Sequence, residues 1–226
     1  MSKIAKFITL DIFSVKTEVR PIQVVLALVI SAIGFFFMGG YGIALGFLPL
    51  VNIFISAPFA VGDNGLDSLY VTLFISRKNV VVGRYTYAFA IHIALVCVYF
   101  ATGMIASGIA GTGLNAISLL AMLLGVFIVA TTINAVTIPV MFKIGYRQAK
   151  SLVNMLPLLV VAGSTLLMRF HADASYDVTA SLSDTMSDHV FGMESVTLVV
   201  AIFVTWVAVM IVSYLVSLRF YAKRYF

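Results

Sequence analysis

The sequence predicts an all-α membrane protein. It reads as six transmembrane helices, an N-terminal helix lying on the interface, and a cytoplasmic surface helix between spans two and three. Three observations lead there. Of 226 residues, 62% are hydrophobic and only 10% are charged, whereas a soluble domain carries roughly a quarter charged residues. No Asp, Glu, Lys or Arg occurs from Pro21 through Gly62, or from Tyr85 through Phe142. Each run exceeds the roughly 20 residues of one crossing. The basic residues also segregate. With six spans and the N-terminus inside, thirteen of the fourteen Lys/Arg are cytoplasmic and only Arg169 is outside. Five of the nine acidic residues (Asp173, Asp177, Asp184, Asp188, Glu194) then lie outside, so the inside carries +9, the outside −4, and the whole +5. That is the positive-inside pattern, and an odd number of spans breaks it. The net charge is thus a topological asymmetry and no sign of nucleic-acid binding.

The chain reads as one transmembrane domain over residues 1–226. Met1–Arg20 is amphipathic: Ile4, Phe7, Ile8, Ile12, Phe13 and Val15 gather mostly on one side, and Lys3, Lys6, Asp11, Lys16 and Glu18 mostly elsewhere. Such a helix lies in the interface plane with its lysines toward headgroups. It lacks the apolar core of a cleavable signal. Pro21 opens the first span, Ile22–Met38, since proline suits a first helical position. Gly39, Gly40 and Gly42 flank Tyr41 in a tight hairpin. The second span, Tyr41–Val61, contains Pro49 and Pro58, which are expected to bend or break it. Its Gly42 and Gly46 form a G-x-x-x-G pair, a surface for close helix packing. The third span is Tyr85–Ser107, and the fourth is Leu114–Phe142, longer than a crossing needs, with an expected tilt or a kink near Pro139. The fifth is Ser151–Met168, the sixth Ser195–Leu218. Residues 169–194 form the only long hydrophilic external segment. Its apolar residues, among them Val178, Leu182, Val190 and Phe191, favour short helices at the outer mouth.

The segment between the two uncharged runs, Asp63–Tyr87, is amphipathic. Leu66, Leu69, Tyr70, Leu73 and Phe74 recur at i, i+3, i+4, i+7 and i+8, one face of a helix. Asn64 suits an N-cap, and Asp67 in the first turn favours the helix N-terminus. Arg77, Lys78 and Arg84 load positive charge onto the exit toward the third span. The segment reads as a short surface helix that passes motion between the membrane part and a partner; an interfacial loop is the plainer alternative.

Motifs for conventional catalysis are missing. The sequence has no G-x-x-x-x-G-K-[ST] loop for ATP, no H-E-x-x-H and no G-x-S-x-G elbow. No Cys/His cluster has zinc spacing, and His171 and His189 among the outer acids match no site template. The single cysteine, Cys97, permits no intrachain disulfide. His92 is the one ionisable group inside a span. It reads either as a relay or substrate contact or as a neutral imidazole bonded to a neighbouring helix. The absence of any carboxylate in a span favours the second. Asn52, Thr132, Asn134, Thr137 and Asn154 are further polar positions that line a path or bond between helices. With no intramembrane acid to bind a coupling ion, the energy source is expected outside this chain.

The stretch Leu73–Tyr85, L-F-I-S-R-K-N-V-V-V-G-R-Y, resembles the L-P-x-S-R-x-x-(I/V)-V-x-x-(R/K)-Y signature of ABC-2 type permeases. Leu73, Ser76, Arg77, Val81, Arg84 and Tyr85 occupy its positions, and Phe74 stands where the family usually has proline. The architecture is similar as well: interfacial helix, six spans, a surface helix between spans two and three, and a polar outer segment between spans five and six. The resemblance implies the transmembrane subunit of a bacterial ABC exporter, in the cell membrane with both termini cytoplasmic. It implies pairing with a second identical or related permease. A separate ATPase subunit binds ATP and Mg²⁺, so this chain is no enzyme and holds no cofactor. Residues 63–80 become the coupling helix region, with Leu66, Asp67, Leu69, Tyr70, Leu73, Phe74, Arg77, Lys78 and Arg84 the ATPase-coupling residues. A peptide, toxin or amphipathic compound is the expected cargo. An ion-coupled secondary carrier and a non-transporting scaffold or immunity protein are the alternatives.

Overall fold

The computed structural model describes residues 19–38, 42–62, 76–111, 115–160, 162–163 and 193–223. These form helices and no strands: α1 (Pro21–Met38), α2 (Gly42–Val61), α3 (Arg77–Ala110), α4 (Ala116–Ile144), α5 (146–160) and α6 (Met193–Ala222). Among the described residues three helices are long and apolar enough to cross a membrane, over Lys78–Ile109, Ala116–Ile144 and Val199–Ala222. Shorter apolar stretches run over Pro21–Gly34 and Leu45–Val61. The N-terminal amphipathic segment, the helix face from Leu66 to Phe74 with Asp67, and the outer segment before Met193 lie outside the described residues.

Local chemistry explains most of the helix ends. Ser76 is the N-cap of α3, its Oγ accepting from the Asn79 N–H at 3.3 Å. That cap starts α3 at Arg77, two turns before the expected Tyr85, so Arg77, Lys78 and Arg84 belong to α3 itself. α3 ends at Gly111, whose φ of 62° is the left-handed conformation that terminates helices, with its N–H donating to Ser107 O. Asn115 caps α4 by accepting from the Ile117 N–H at 3.3 Å. Gly145, at φ 80°, separates α4 from α5, so α5 begins at 146 and not at the expected Ser151. The prolines break nothing: α2 continues through Pro49 and Pro58, and α4 through Pro139. In lipid an interrupted helix would strand backbone groups without water, so continuity is favoured wherever packing allows it.

α3 lies at the centre, packed against α1, α2, α4 and α6, while α1 pairs closely with α2 and α4 with α6. The core runs from Phe47, Leu50 and Ile55 on α2, through Val81 and Tyr99 on α3, to Leu123, Ile138 and Met141 on α4. The outward faces of α1 and α6 are apolar: Ile22, Val25, Leu26 and Val29 on one, Val199, Phe203, Val204 and Val212 on the other. Exposed apolar side chains are stable against lipid tails, which leaves no hydrophobic drive between helices. Close packing of small residues and interhelical hydrogen bonds must supply the association. Both are present. Ala27 and Ser31 of α1 meet Gly46 of α2, and Gly34 meets Gly42. Ser31 Oγ donates to Ala27 O at 2.8 Å and shares a 3.0 Å hydrogen bond with Tyr99 OH on α3. Phe47 packs edge-on against the same Tyr99 ring, at 5.2 Å. One tyrosine thereby joins three helices.

Candidate functional site

The polar groups of the helices gather at two levels. The first is a buried cluster between α3, α4 and α6. His92, 1% exposed, bonds through Nδ1 to Ala88 O at 2.7 Å. That carbonyl can only accept, so Nδ1 carries the proton and Nε2 is left as an acceptor. Asn134 Nδ2 donates to His92 Nε2 at 3.2 Å and to Ala130 O at 2.9 Å. Thr137 Oγ1 donates to Asn134 Oδ1 at 3.1 Å. This arrangement holds a neutral imidazole between two helices. Nearby, Trp206 Nε1 donates to Thr131 Oγ1 at 2.8 Å. Phe127 packs against both the His92 ring, at 5.7 Å, and the Trp206 ring, at 6.2 Å. A cavity of about 20 Å³ borders His92, Thr131 and Asn134. It is large enough for a water molecule and far too small for a peptide.

The other expected path residues divide. Asn52 and Asn154 meet between α2 and α5: Asn52 Nδ2 donates to Val153 O at 3.1 Å and to Asn154 Oδ1 at 3.4 Å. Thr132 stands apart on the exposed side of α4, donating to Ile128 O at 2.8 Å within its own helix. Thus His92, Asn134 and Thr137 form one group, Asn52 and Asn154 a second, and Thr132 joins neither.

The second level is the basic end of the molecule. Phe59 near the end of α2, Phe142 near the end of α4 and Tyr221 near the end of α6 stack edge to face, at centroid distances of 5.0 and 5.1 Å. Arg84 of α3 is 3% exposed, its guanidinium carbon 4.8 Å from the Phe59 ring centroid. Desolvated cation–π contacts of this kind contribute about 2 kcal/mol. Lys143 lies over Phe220 at 5.3 Å. The chain leaves α2 and enters α3 at this end. Lys78 is exposed here at the start of α3, while Arg84 is packed into the protein between its helices.

Tyr85 is a position of the sequence signature, but its partners Ser213 and Ser217, and the linking Tyr87, were not singled out in the sequence. Tyr85 OH bonds Ser213 Oγ at 2.6 Å and Ser217 Oγ at 2.8 Å, and Ser213 Oγ reaches Ala135 O at 2.6 Å. These contacts tie α3 and α4 to α6. Two serines at i and i+4 in an apolar span were the signal that could have revealed them. Tyr87 OH donates to Phe54 O at 3.0 Å, joining α3 to α2.

Asn134 yields a direct test. Asn134→Leu removes the donor to His92 Nε2 and leaves a buried acceptor unpaired, a loss of about 1–3 kcal/mol. The expected result is a lower melting temperature in detergent, with His92→Phe in the same background costing little more. Equal stability of Asn134→Leu and the parent would mean that water fully replaces the amide.

These features define a polytopic helical membrane protein. Its helices are locked by polar contacts, and its basic residues gather where α2, α4 and α6 end and α3 and α5 begin. The chain belongs to the ABC-2 family of transporter proteins: the family described as ABC-2 family transporter protein matches residues 6–222. Members of that family are the transmembrane subunit of an ABC transporter and not its ATPase, and membership implies partnership with an ABC ATPase. No curated protein and no solved structure matched the chain.

Proposed function

We propose that this protein is the permease subunit of an ATP-driven exporter. A separate ATPase seats on the basic end, and a peptide, toxin or amphipathic compound moves outward. The family match over nearly the whole chain is the observation that carries this reading. In this reading the chain crosses a bacterial cell membrane six times, with the basic end and both termini in the cytoplasm. The 20 Å³ cavity beside His92 cannot pass such a cargo; in this reading the path runs between two permease copies, identical or related. The coupling helix region of this reading is residues 63–80, of which 63–75 lie outside the described residues. Its apolar face from Leu66 to Phe74 enters a groove of the ATPase, while Asp67, Arg77 and Lys78 orient it at the rim. The partner supplies ATP and Mg²⁺.

Copurification tests the assembly. The tagged chain, purified from cells that express it together with an ABC ATPase subunit, is expected to bring that subunit down and to show ATP hydrolysis in lipid. Failure to retain an ATPase in lipid as well as in detergent would sink the exporter reading. Topology is tested separately by cysteine labelling from outside in a Cys97→Ser background. Asp184→Cys should react and Ser68→Cys should not; the reverse pattern would overturn the orientation.

A further inference from the structure

Among the described residues the cavities differ sharply in chemistry. One of about 340 Å³ between α1 and α3 is lined by Val25, Leu28, Val29 and Ala106 with few polar groups. Another, of about 280 Å³, lies between the start of α1, the last half of α2 and the start of α5. Its lining includes Arg20, Gln23, Ser56, Tyr146, Lys150 and Asn154. The last three sit at i, i+4 and i+8, so one face of α5 presents a phenol, an ammonium and an amide in a column.

Three facts about this cavity point to one ligand chemistry. Arg20 and Lys150 both line it, while the one carboxylate among the described residues is Glu194, in the first turn of α6 at the opposite end of the molecule. Among the described residues, therefore, no carboxylate stands beside either cation. Neutral donors stand beside the cations: Gln23 accepts the Arg20 N–H through Oε1 at 3.2 Å, which leaves its amide NH₂ to donate, and the Tyr146 hydroxyl also lines the cavity. Depth is the third. The lining residues of α2 run from Ile53 to Ala60, so the cavity reaches about 12 Å below the helix end at 1.5 Å per residue. That is the headgroup and glycerol zone of a bilayer, not bulk water. At about 30 Å³ per water, the space holds a partly hydrated phosphate group. Basic pockets between helices at this level bind anionic headgroups.

We propose that the cavity between α1, α2 and α5 is a phosphate site, occupied by the headgroup of an anionic phospholipid in the leaflet at the basic end. Arg20, just before α1, and Lys150 of α5 neutralise the phosphodiester from two sides, and Gln23 and Tyr146 donate to its oxygens, while the Ser56 hydroxyl is already given to Ile53 O at 3.1 Å. The lipid then clamps the start of α1 and of α5 to α2.

The test is thermal unfolding of the full chain in neutral detergent, with phosphatidylglycerol, phosphatidylcholine or inorganic phosphate added. Phosphatidylglycerol is expected to raise the melting temperature well above the phosphatidylcholine value. In Arg20→Gln/Lys150→Gln its half-effective concentration should rise about tenfold or more. Lys223→Gln, which removes an exposed lysine at the end of α6, should behave as the parent. Equal stabilisation by the two lipids overturns the proposal, as does an unchanged phosphatidylglycerol response in the double variant. Stabilisation by inorganic phosphate without a phosphatidylglycerol effect overturns the lipid as the source. Where the double variant does not fold, Lys150→Gln and Lys150→Arg decide: retention by arginine and loss by glutamine supports the site, and identical responses reject it. No ATPase takes part, so a negative result leaves the export reading untouched.

Discussion

Gly46→Leu is expected to abolish recovery of folded protein, and Gly46→Ala to destabilise it by about 1–3 kcal/mol. A Cβ at Gly46 would land on Ser31 Oγ and on the Ala27 carbonyl oxygen of α1. A hydroxyl can rotate away; a helical carbonyl cannot. The two helices would have to separate, breaking the Ser31–Tyr99 hydrogen bond that ties them to α3. Gly34 is the second close approach, its Cβ position 2.8 Å from Gly42 O, so Gly34→Ala should cost a comparable amount. Gly125 is the control: nothing lies within 4 Å of a Cβ built there. Gly125→Ala, in a helix that prefers alanine, should match or exceed the parent. The measurement is size-exclusion recovery and thermal melting in detergent. Equal behaviour of Gly46→Ala and Gly125→Ala would show that α1 and α2 have room to part.

Tyr70→Ala with Phe74→Ala is expected to leave the protein inserted and folded while removing the ATPase from it. The two residues are four apart, so on a helix they form one aromatic anchor. Anchors of this kind commonly contribute about 2 kcal/mol or more each to an interface. Losing both would lower affinity by a factor of about a thousand, and cargo would no longer stimulate ATP hydrolysis. Arg77→Ala should weaken docking modestly and in a salt-dependent manner. Arg84→Ala should behave differently from both. Its side chain is buried against Phe59, so its loss should lower the melting temperature of the permease itself. Pull-down of the ATPase beside a melting curve separates the two kinds of defect. Normal pull-down by the double variant would place coupling elsewhere, as through the basic residues from Lys143 to Lys150.

Composition and charge by themselves determined the class of protein. Two long runs without charge require lipid around them, because water would not tolerate that much apolar surface and lipid would not tolerate the charges. The same reasoning located α4 to within two residues at each end, since apolar length is a local property of the chain. The short signature from Leu73 to Tyr85 was enough to reach the family. Tertiary structure alone decided the rest. Arg84 is part of that signature, yet only the meeting of α2 and α3 shows it stacked over Phe59 inside the protein. His92, Asn134 and Thr137 were three separate polar letters until α3 and α4 set them within hydrogen-bond distance, while Thr132, next but one to Asn134, turned outward. The Gly42–Gly46 pair was legible, but not its opposing surface of Ala27, Ser31 and Gly34. The reason is physical. In lipid an apolar face does not say which neighbour it meets, because lipid satisfies it as well as another helix does. Partner choice therefore rests on a few small residues and single hydrogen bonds spaced far apart in the chain.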